Sequence, residues 1–267
     1  LRELVSISSA VVIALTVALP VAHALADAWT LPMGETELST TYTYVDAVDA
    51  LDNDGERDLS ADFYMHELSV LLELGATDYL TAYVQPHFRW IEAAGTEEEG
   101  LSHTDVGLRL RLFGQDDDVF SIQAEATFEG DIDSIQNVML NQGDMEYEVR
   151  ALYGGRFDLG GIPGFINLEG GYRWREGLPA NEIYADFAFG WEPQRATEVL
   201  IESLNVWGDG QGDDPLLYPY FRQHKVQGSL LMHTSPSFTL QLGGFYTWDG
   251  QNVVAEDGGF VRGQLSF

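Results

Sequence analysis

From Glu37 onward the chain alternates apolar and polar residues with period two, segment after segment, and this pattern constrains the fold more than any other feature. Successive side chains of a strand leave on opposite faces, so each segment is a ribbon with one greasy and one wet side. In the first, Leu38, Thr40, Tyr42 and Tyr44 oppose Glu37, Ser39, Thr41 and Thr43. In the third, Leu80, Ala82, Val84, Phe88 and Trp90 oppose Thr81, Tyr83, Gln85, His87 and Arg89. Phe120, Ile122, Ala124 and Phe128 oppose Ser121, Gln123, Glu125 and Glu129. Comparable segments begin near Tyr64, Asp105, Glu146, Ile166, Ile183, Glu198, Lys225, Phe238 and Val261, giving twelve predicted strands. The ninth is irregular, because Leu200 and Leu204 share a face with Glu198 and Glu202. Pro86 in the third needs a bulge or a position without a ladder partner, since proline has no N–H to donate.

Composition agrees with an all-β chain. Twenty-eight glycines sit poorly in long helices, where each costs roughly 1 kcal/mol relative to alanine. Forty-three acidic against thirteen basic residues give a net charge of −30, which repels phosphate backbones and excludes nucleic acid as a partner. The 45% of hydrophobic residues excludes a disordered chain. With no cysteine there is no disulfide, no thiolate zinc site and no lipidated cysteine. Arg2, an apolar run from Leu4 to Val21 and the small-residue sites Ala22-His23-Ala24 and Ala24-Leu25-Ala26 have the three parts of a secretory signal peptide. Residues 1–26 are expected to be that leader and 27–267 a single β domain.

The connections distinguish a soluble sandwich from a membrane barrel. Those spanning Asp46 to Asp62, Glu92 to Ser102, Gly130 to Gly143, Trp207 to Leu217 and Asp249 to Gly258 are long and mostly acidic. They alternate with tight ones such as Gly75-Ala76-Thr77-Asp78 and Thr234-Ser235-Pro236-Ser237. Long on one side and short on the other is the asymmetry of an outer-membrane barrel, as is an even strand number. Aromatics fall at the ends of the greasy faces (Tyr42, Tyr44, Phe88, Trp90, Phe128, Trp174, Trp248, and at the other rim Trp191 and Phe267), forming a girdle rather than a mid-strand core. The expected fold is a closed antiparallel transmembrane β-barrel of about twelve strands.

An export leader followed by amphipathic strands and the ending Gly263-Gln264-Leu265-Ser266-Phe267 resembles Gram-negative outer-membrane β-barrel proteins. A narrower likeness lies in Leu74-Gly75-Ala76-Thr77-Asp78-Tyr79-Leu80-Thr81 and Gly100-Leu101-Ser102-His103-Thr104-Asp105-Val106-Gly107-Leu108, with the opening Ala28-Trp29-Thr30-Leu31-Pro32-Met33-Gly34-Glu35. These are similar to the turn, strand start and mature start of the phenol meta-pathway transporter-like outer-membrane family. The resemblance implies location in the bacterial outer membrane, contact with its lipid and lipopolysaccharide, and recognition by the barrel assembly machinery through the C-terminal Phe267. It further implies passage of a small solute, with no bound cofactor.

If the greasy side meets lipid, the wet side lines the lumen. The candidate lining charges are Arg89, Arg109, Arg111, Glu125, Glu146, Glu148, Arg150, Glu169, Arg173, Arg175, Glu202, Lys225 and Arg262. Two readings stay open: acidic and basic walls whose field orients a polar solute, or a lattice of cross-strand ion pairs that fills a narrow barrel. Arg173-x-Arg175 sets two guanidinium groups one strand step apart, and Glu146-x-Glu148 is spaced to face such a pair. Asp52-x-Asp54-Gly55 looks like a calcium loop, but Ala50 and Ala61 stand where ligands belong. Hydrolysis lacks support: there is no Gly-x-Ser-x-Gly elbow and no His-Glu-x-x-His pair. His66, His87, His103, His224 and His233 are isolated strand or rim histidines, and the acidic loops rob Asp213-Asp214 of significance. The expectation is a non-enzymatic channel; the alternative is a non-conducting accessory barrel, for instance in surface polysaccharide export.

Overall fold

A computed structural model describes residues 28–57, 59–93, 95–114, 117–132, 145–194 and 196–267; the expected leader at 1–26 lies outside them. The strands are β1 (Thr36–Leu51), β2 (Leu59–Thr77), β3 (Leu80–Ala93), β4 (Thr96–Gly114), β5 (Asp118–Glu129), β6 (Met145–Asp158) and β7 (Pro163–Arg175). They continue with β8 (Glu182–Gln194), β9 (Thr197–Gly208), β10 (Arg222–Ser235), β11 (Phe238–Gln251), β12 (Val253–Val254) and β13 (Asp257–Ser266). β12 is a two-residue bridge onto Ala50 and Leu51, and the other twelve form the wall. Each wall strand pairs antiparallel with its neighbours along the chain. β1 is bonded to β2 on one side and to β13 on the other, from Glu37 opposite Ser266 to Asp46 opposite Asp257, which closes the ring. Closure leaves no free edge to attract another chain.

The period-two pattern sorts the faces. On β4, Val106, Leu108, Leu110 and Leu112 point outward and are exposed, whereas Asp105 and Arg109 point inward and are buried. The same holds around the ring, with Tyr42, Phe88, Trp90, Phe128, Trp174 and Trp248 exposed at one margin of the apolar belt and Phe267 at the other. A continuous apolar belt of this kind far exceeds the patches that water-soluble monomers expose, and hydrocarbon is what covers it. Among the described residues no helix is long and apolar enough to cross a membrane; the strands do the crossing.

The expected difference between the two ends is present in another form. Much of what reads as acidic loop is strand: β1 runs to Leu51, β2 starts at Leu59, and β3 and β4 are separated by little more than a tight turn. Asp46 and Asp49 therefore lie on β1, Asp62 on β2 and Glu97, Glu98 and Glu99 on β4. The ladder continues because the faces exchange polarity above the aromatic margin. Val45, Ala47, Phe63, Met65, Ile91 and Ala93 turn inward and are buried, with Ala50, Ile132 and Val254, while Asp46, Tyr64 and Glu92 face out. Outside the bilayer the outer surface meets water, so the apolar side of each hairpin must go in. At the β1–β2 tip the Asp52 carboxylate accepts the amides of Asp54 and Glu56, and Gly55 has a φ of +81°, which makes the calcium-like motif a turn.

Strand irregularities fall where the sequence places them. The β2–β3 ladder pairs Ser69 with His87 and Leu72 with Val84, skipping Pro86, and β3 shifts register against β4 between His87 and Phe88. On β9, Leu200 is buried between Glu198 and Glu202, packed with Ala188 and Leu231.

Candidate functional site in the barrel lumen

The densest charge lies on the wall formed by β6, β7 and β8. Register puts Glu146 opposite Arg175 and Glu148 opposite Arg173, so each guanidinium faces a carboxylate across one pair of strands. Arg175 Nε donates to Glu146 at 2.9 Å, and its Nη1 lies 2.7 Å from Glu182. Arg173 reaches Glu148 at 2.8 Å, Glu146 at 3.3 Å and Glu182 at 3.5 Å. Arg150 pairs with Glu148 and with Glu169 at 3.2 Å, and Asp186 is 3.8 Å away. The buried Tyr184 ring lies beneath Arg150 and Arg173, each 4.9 Å from its centroid. Acids and bases are thus interleaved on one wall and largely cancel there, so this wall is a lattice of ion pairs rather than one plate of a transverse field.

The adjoining stretch of wall is formed by β2 to β5. Glu67 accepts from Arg89 Nε at 2.6 Å and lies 3.1 Å from His87 Nδ1. His87 Nε2 is 3.1 Å from Asp105, whose other oxygen accepts from Thr127 at 2.6 Å. Lower down, Tyr83 donates to Glu125 at 2.6 Å. The Tyr83 ring lies flat over Gly107, where any Cβ would stand 2.2 Å from it. Arg109 reaches Gln123 at 3.2 Å and Glu73 at 3.5 Å. On the remainder of the ring, Glu202 bonds Gln227 between β9 and β10, and Arg262 on β13 donates to Thr41 on β1 at 3.0 Å.

Two segments enter the lumen. From the short-turn end comes 28–33: the Ala28 carbonyl accepts from Ser121, that of Trp29 from Arg109, and Leu31 N donates to Thr81. The Gly75-Ala76-Thr77-Asp78 turn clamps it, since Asp78 accepts from Thr30 and Met33, and the Pro32 carbonyl occupies the space beside Gly75. The Trp29 ring lies over Gly154 and under Arg156. From the opposite end comes 252–256. Val253 and Ala255, with Leu51, pack against Tyr184, Val206 and Phe221 of the far wall. Glu256, fully buried, is paired with Lys225 and held by Gln223. A cavity of about 930 Å³ opens between Trp29 and the short turns, bounded by Arg156, Asn167, Trp191, Glu198 and Gln264 among others.

Of the predicted lining charges, Arg89, Arg109, Glu146, Glu148, Arg150, Glu202, Lys225 and Arg262 are buried on inward faces. Glu125, Glu169, Arg173 and Arg175 are half-buried in the same lattice. Arg111 is half-buried at the short-turn rim, where it donates to the Asp78 carbonyl and covers Tyr79. His66 lies on the outer face against Tyr42, and His224 is set among Trp207 and Trp248 at the margin. Sequence reasoning left out Glu182, Glu256 and the inserted Trp29, and set Tyr184 on the inward face of its strand without giving it a role. Glu182 holds the parity of Tyr184 and Asp186 and was within reach of the alternation rule; the segments carrying Trp29 and Glu256 lie outside any alternating run.

Among solved structures the chain is similar to an outer-membrane channel from Pseudomonas putida F1, with a TM-score of 0.69 at 16% identity over 91% of this chain and 98% of that one. It is also similar to the NanC porin, with a TM-score of 0.54 at 9% identity over 85% and 98% of the two chains. The translocator domain of the autotransporter NalP from Neisseria meningitidis follows, with a TM-score of 0.52 at 11% identity over 87% and 88%. No protein-family model and no curated protein sequence matches the chain. At these identities the likeness is one of fold, that of closed bacterial outer-membrane β-barrels.

Proposed function

We propose that this chain is an outer-membrane channel for passive passage of a small polar solute, narrow at rest because two of its own segments occupy the lumen. The carrying observation is the contrast of surfaces: an apolar belt outside and, within it, a continuous lining of ionised and hydrogen-bonding side chains. The cavity of about 930 Å³ at the short-turn end forms a vestibule with room for a small solute. The channel and the porin among the structural neighbours support the same reading. Short turns place the vestibule on the periplasmic side. The chemistry requires only passage and exclusion, and no step depends on a nucleophile or a cofactor.

Refolded protein in a planar bilayer provides the test. Discrete conductance steps are expected, small in the intact chain and larger when Trp29 is replaced by alanine, which removes the ring between Gly154 and Arg156. Protein whose gel mobility is heat-modifiable, as for a folded barrel, but which stays electrically silent with and without Trp29 would refute the channel and favour an accessory barrel.

A further inference from the structure

The cluster at the outer end of the β2–β5 wall carries more chemistry than an ion-pair lattice requires. His87 on β3 and His103 on β4 are direct cross-strand partners, and Asp105 lies one inward position further along β4. Cross-strand and diagonal neighbours on one face are close enough for their side chains to converge. The imidazoles stack at 4.1 Å with 13° between planes, and both direct Nε2 toward one oxygen of Asp105, at 3.1 Å from His87 and 3.7 Å from His103. The ligand atoms of all three lie within 4.8 Å of one another, and all three residues are buried. In a tetrahedral site with bonds near 2.0–2.1 Å, neighbouring donors stand roughly 3.3 Å apart; the two separations from Asp105 bracket that spacing, and binding turns one imidazole out of the stack so that both ring planes meet at the ion.

The surroundings are those of a built site. The remaining nitrogen of each ring is engaged: His87 Nδ1 lies 3.1 Å from Glu67, itself fixed by Arg89, and His103 Nδ1 lies 3.1 Å from Ser102. Glu67 beside His87 is the carboxylate–histidine arrangement that sets tautomer and ring orientation at metal centres. The free oxygen of Asp105 is held by Thr127 at 2.6 Å. We propose that His87, His103 and Asp105 form a lumenal binding site for one divalent transition-metal ion of the zinc class. Two imidazoles and one carboxylate select such an ion over calcium or magnesium, which prefer oxygen donors. A fourth position is left for water or solute. The site lies just inside the apolar cluster of Ile91 and Ala93, toward the end of the barrel that carries the long hairpins. It rests on side-chain geometry and does not require that the barrel conduct.

Refolded full-length protein, stripped with chelator, is titrated with Zn²⁺ by calorimetry and with Co²⁺ by absorption. One tight site per chain is expected, with Co²⁺ ligand-field bands of a four- or five-coordinate nitrogen–oxygen centre. H103Q and D105N should each weaken binding at least ~100-fold, and E67Q, which removes the orienting carboxylate, by ~10–100-fold. H66Q, on the outer face, should leave the affinity unchanged. Heat-modifiable mobility checks the fold of every variant, and should H103Q not fold, the Co²⁺ spectrum of the unaltered chain still decides. Binding equal in the unaltered chain and H103Q, or a Co²⁺ spectrum of a hexaaquo-like ion only, overturns the site and assigns any uptake to the surface acids. Zn²⁺ block of conductance that H103Q relieves is a separate reading; its absence would count against passage beside the ion, not against the ion's site.

Discussion

Replacing Lys225 with methionine tests whether 252–256 is held in the lumen by one buried charge pair. Glu256 is 0% exposed and Lys225 nearly as buried, so the substitution leaves a carboxylate in the barrel interior with Gln223 as its remaining side-chain donor, at 3.4 Å. Removing one partner of such a pair costs about 3–5 kcal/mol when the other stays in place. The segment has another option, which is to leave. Burial of Val253 and Val254 contributes about 1.5–3 kcal/mol each, against about 1–2 kcal/mol per residue for ordering the five residues. Ordering, about 5–10 kcal/mol for five residues, exceeds the apolar burial of about 3–6 kcal/mol, so the polar anchors decide the balance. These are Lys225, Gln223 and the backbone bonds from Asn252 to Asp52 and from Ala255 to Asp49. A loss of 3–5 kcal/mol shifts the in–out equilibrium by roughly two to three and a half powers of ten.

Two assays read this shift. The chain has no cysteine, so A255C reports on the segment alone: Ala255 is buried, and a membrane-impermeant maleimide should label it slowly in the parent and at least ~100-fold faster beside K225M. In a planar bilayer K225M should spend far more time in its large-conductance state. K225M/E256M, which replaces both charges with side chains of similar volume, should restore slow labelling, because an apolar pair in that place is neutral or better. If K225M labels at the parental rate and gates as the parent does, the pair does not latch the segment.

Three further outcomes follow from the same geometry. Leu108 faces outward midway along β4, so L108R should lower unfolding stability in lipid vesicles by about 2–4 kcal/mol, whereas L216R, at a fully exposed loop position, should change it by under about 0.5 kcal/mol; equal effects would remove hydrocarbon from the outer face. G75V places a side chain where the Pro32 carbonyl lies, since a Cβ there would be 2.0 Å from that oxygen, and should drive 28–33 from the lumen. Thiol labelling at T30C should then accelerate tenfold or more, and unchanged labelling would show that the turn does not clamp the segment. R173M strips one cation from between Glu146, Glu148 and Glu182 and should cost about 3–5 kcal/mol by urea titration, unless the wall is solvated well enough to tolerate the excess acid.

How much of this was legible depends on which residues obey the pleat. Wherever one side of a ribbon meets hydrocarbon, period two fixes the face of every residue, so β4 could be read to the residue and the facing of Glu146-x-Glu148 on Arg173-x-Arg175 followed from spacing. The reading failed where the outer solvent changes. Above Trp90 the wet face is the outer one, and the acids of Asp46, Glu92 and Glu97 then resemble loop residues although the hydrogen-bond ladder passes straight through them. The metal-class cluster was hidden for another reason: His87 and His103 are sixteen positions apart and meet only through a register that a bulge beside Pro86 sets.

The inserted segments left a fainter trace, in glycine. Gly75, Gly107, Gly154 and Gly171 all stand on inward faces of strands, where the pattern calls for a polar side chain, and each lies beneath a bulky group. Pro32 covers the first, Tyr83 the second, Trp29 the third and Arg150 the fourth; a Cβ at any of them would stand 2.0–2.7 Å from that neighbour. Glycine weakens a strand, so its place on a lumenal face calls for a compensating close approach. Two of the four contacts are made by 28–33, a segment with no periodicity of its own. The wet face of a barrel strand therefore records, in its missing side chains, what the lumen contains. On that ground G154V should expel Trp29 as G75V expels Pro32, while a valine at Gly228, which has open space around its Cβ position, should leave T30C labelling unchanged.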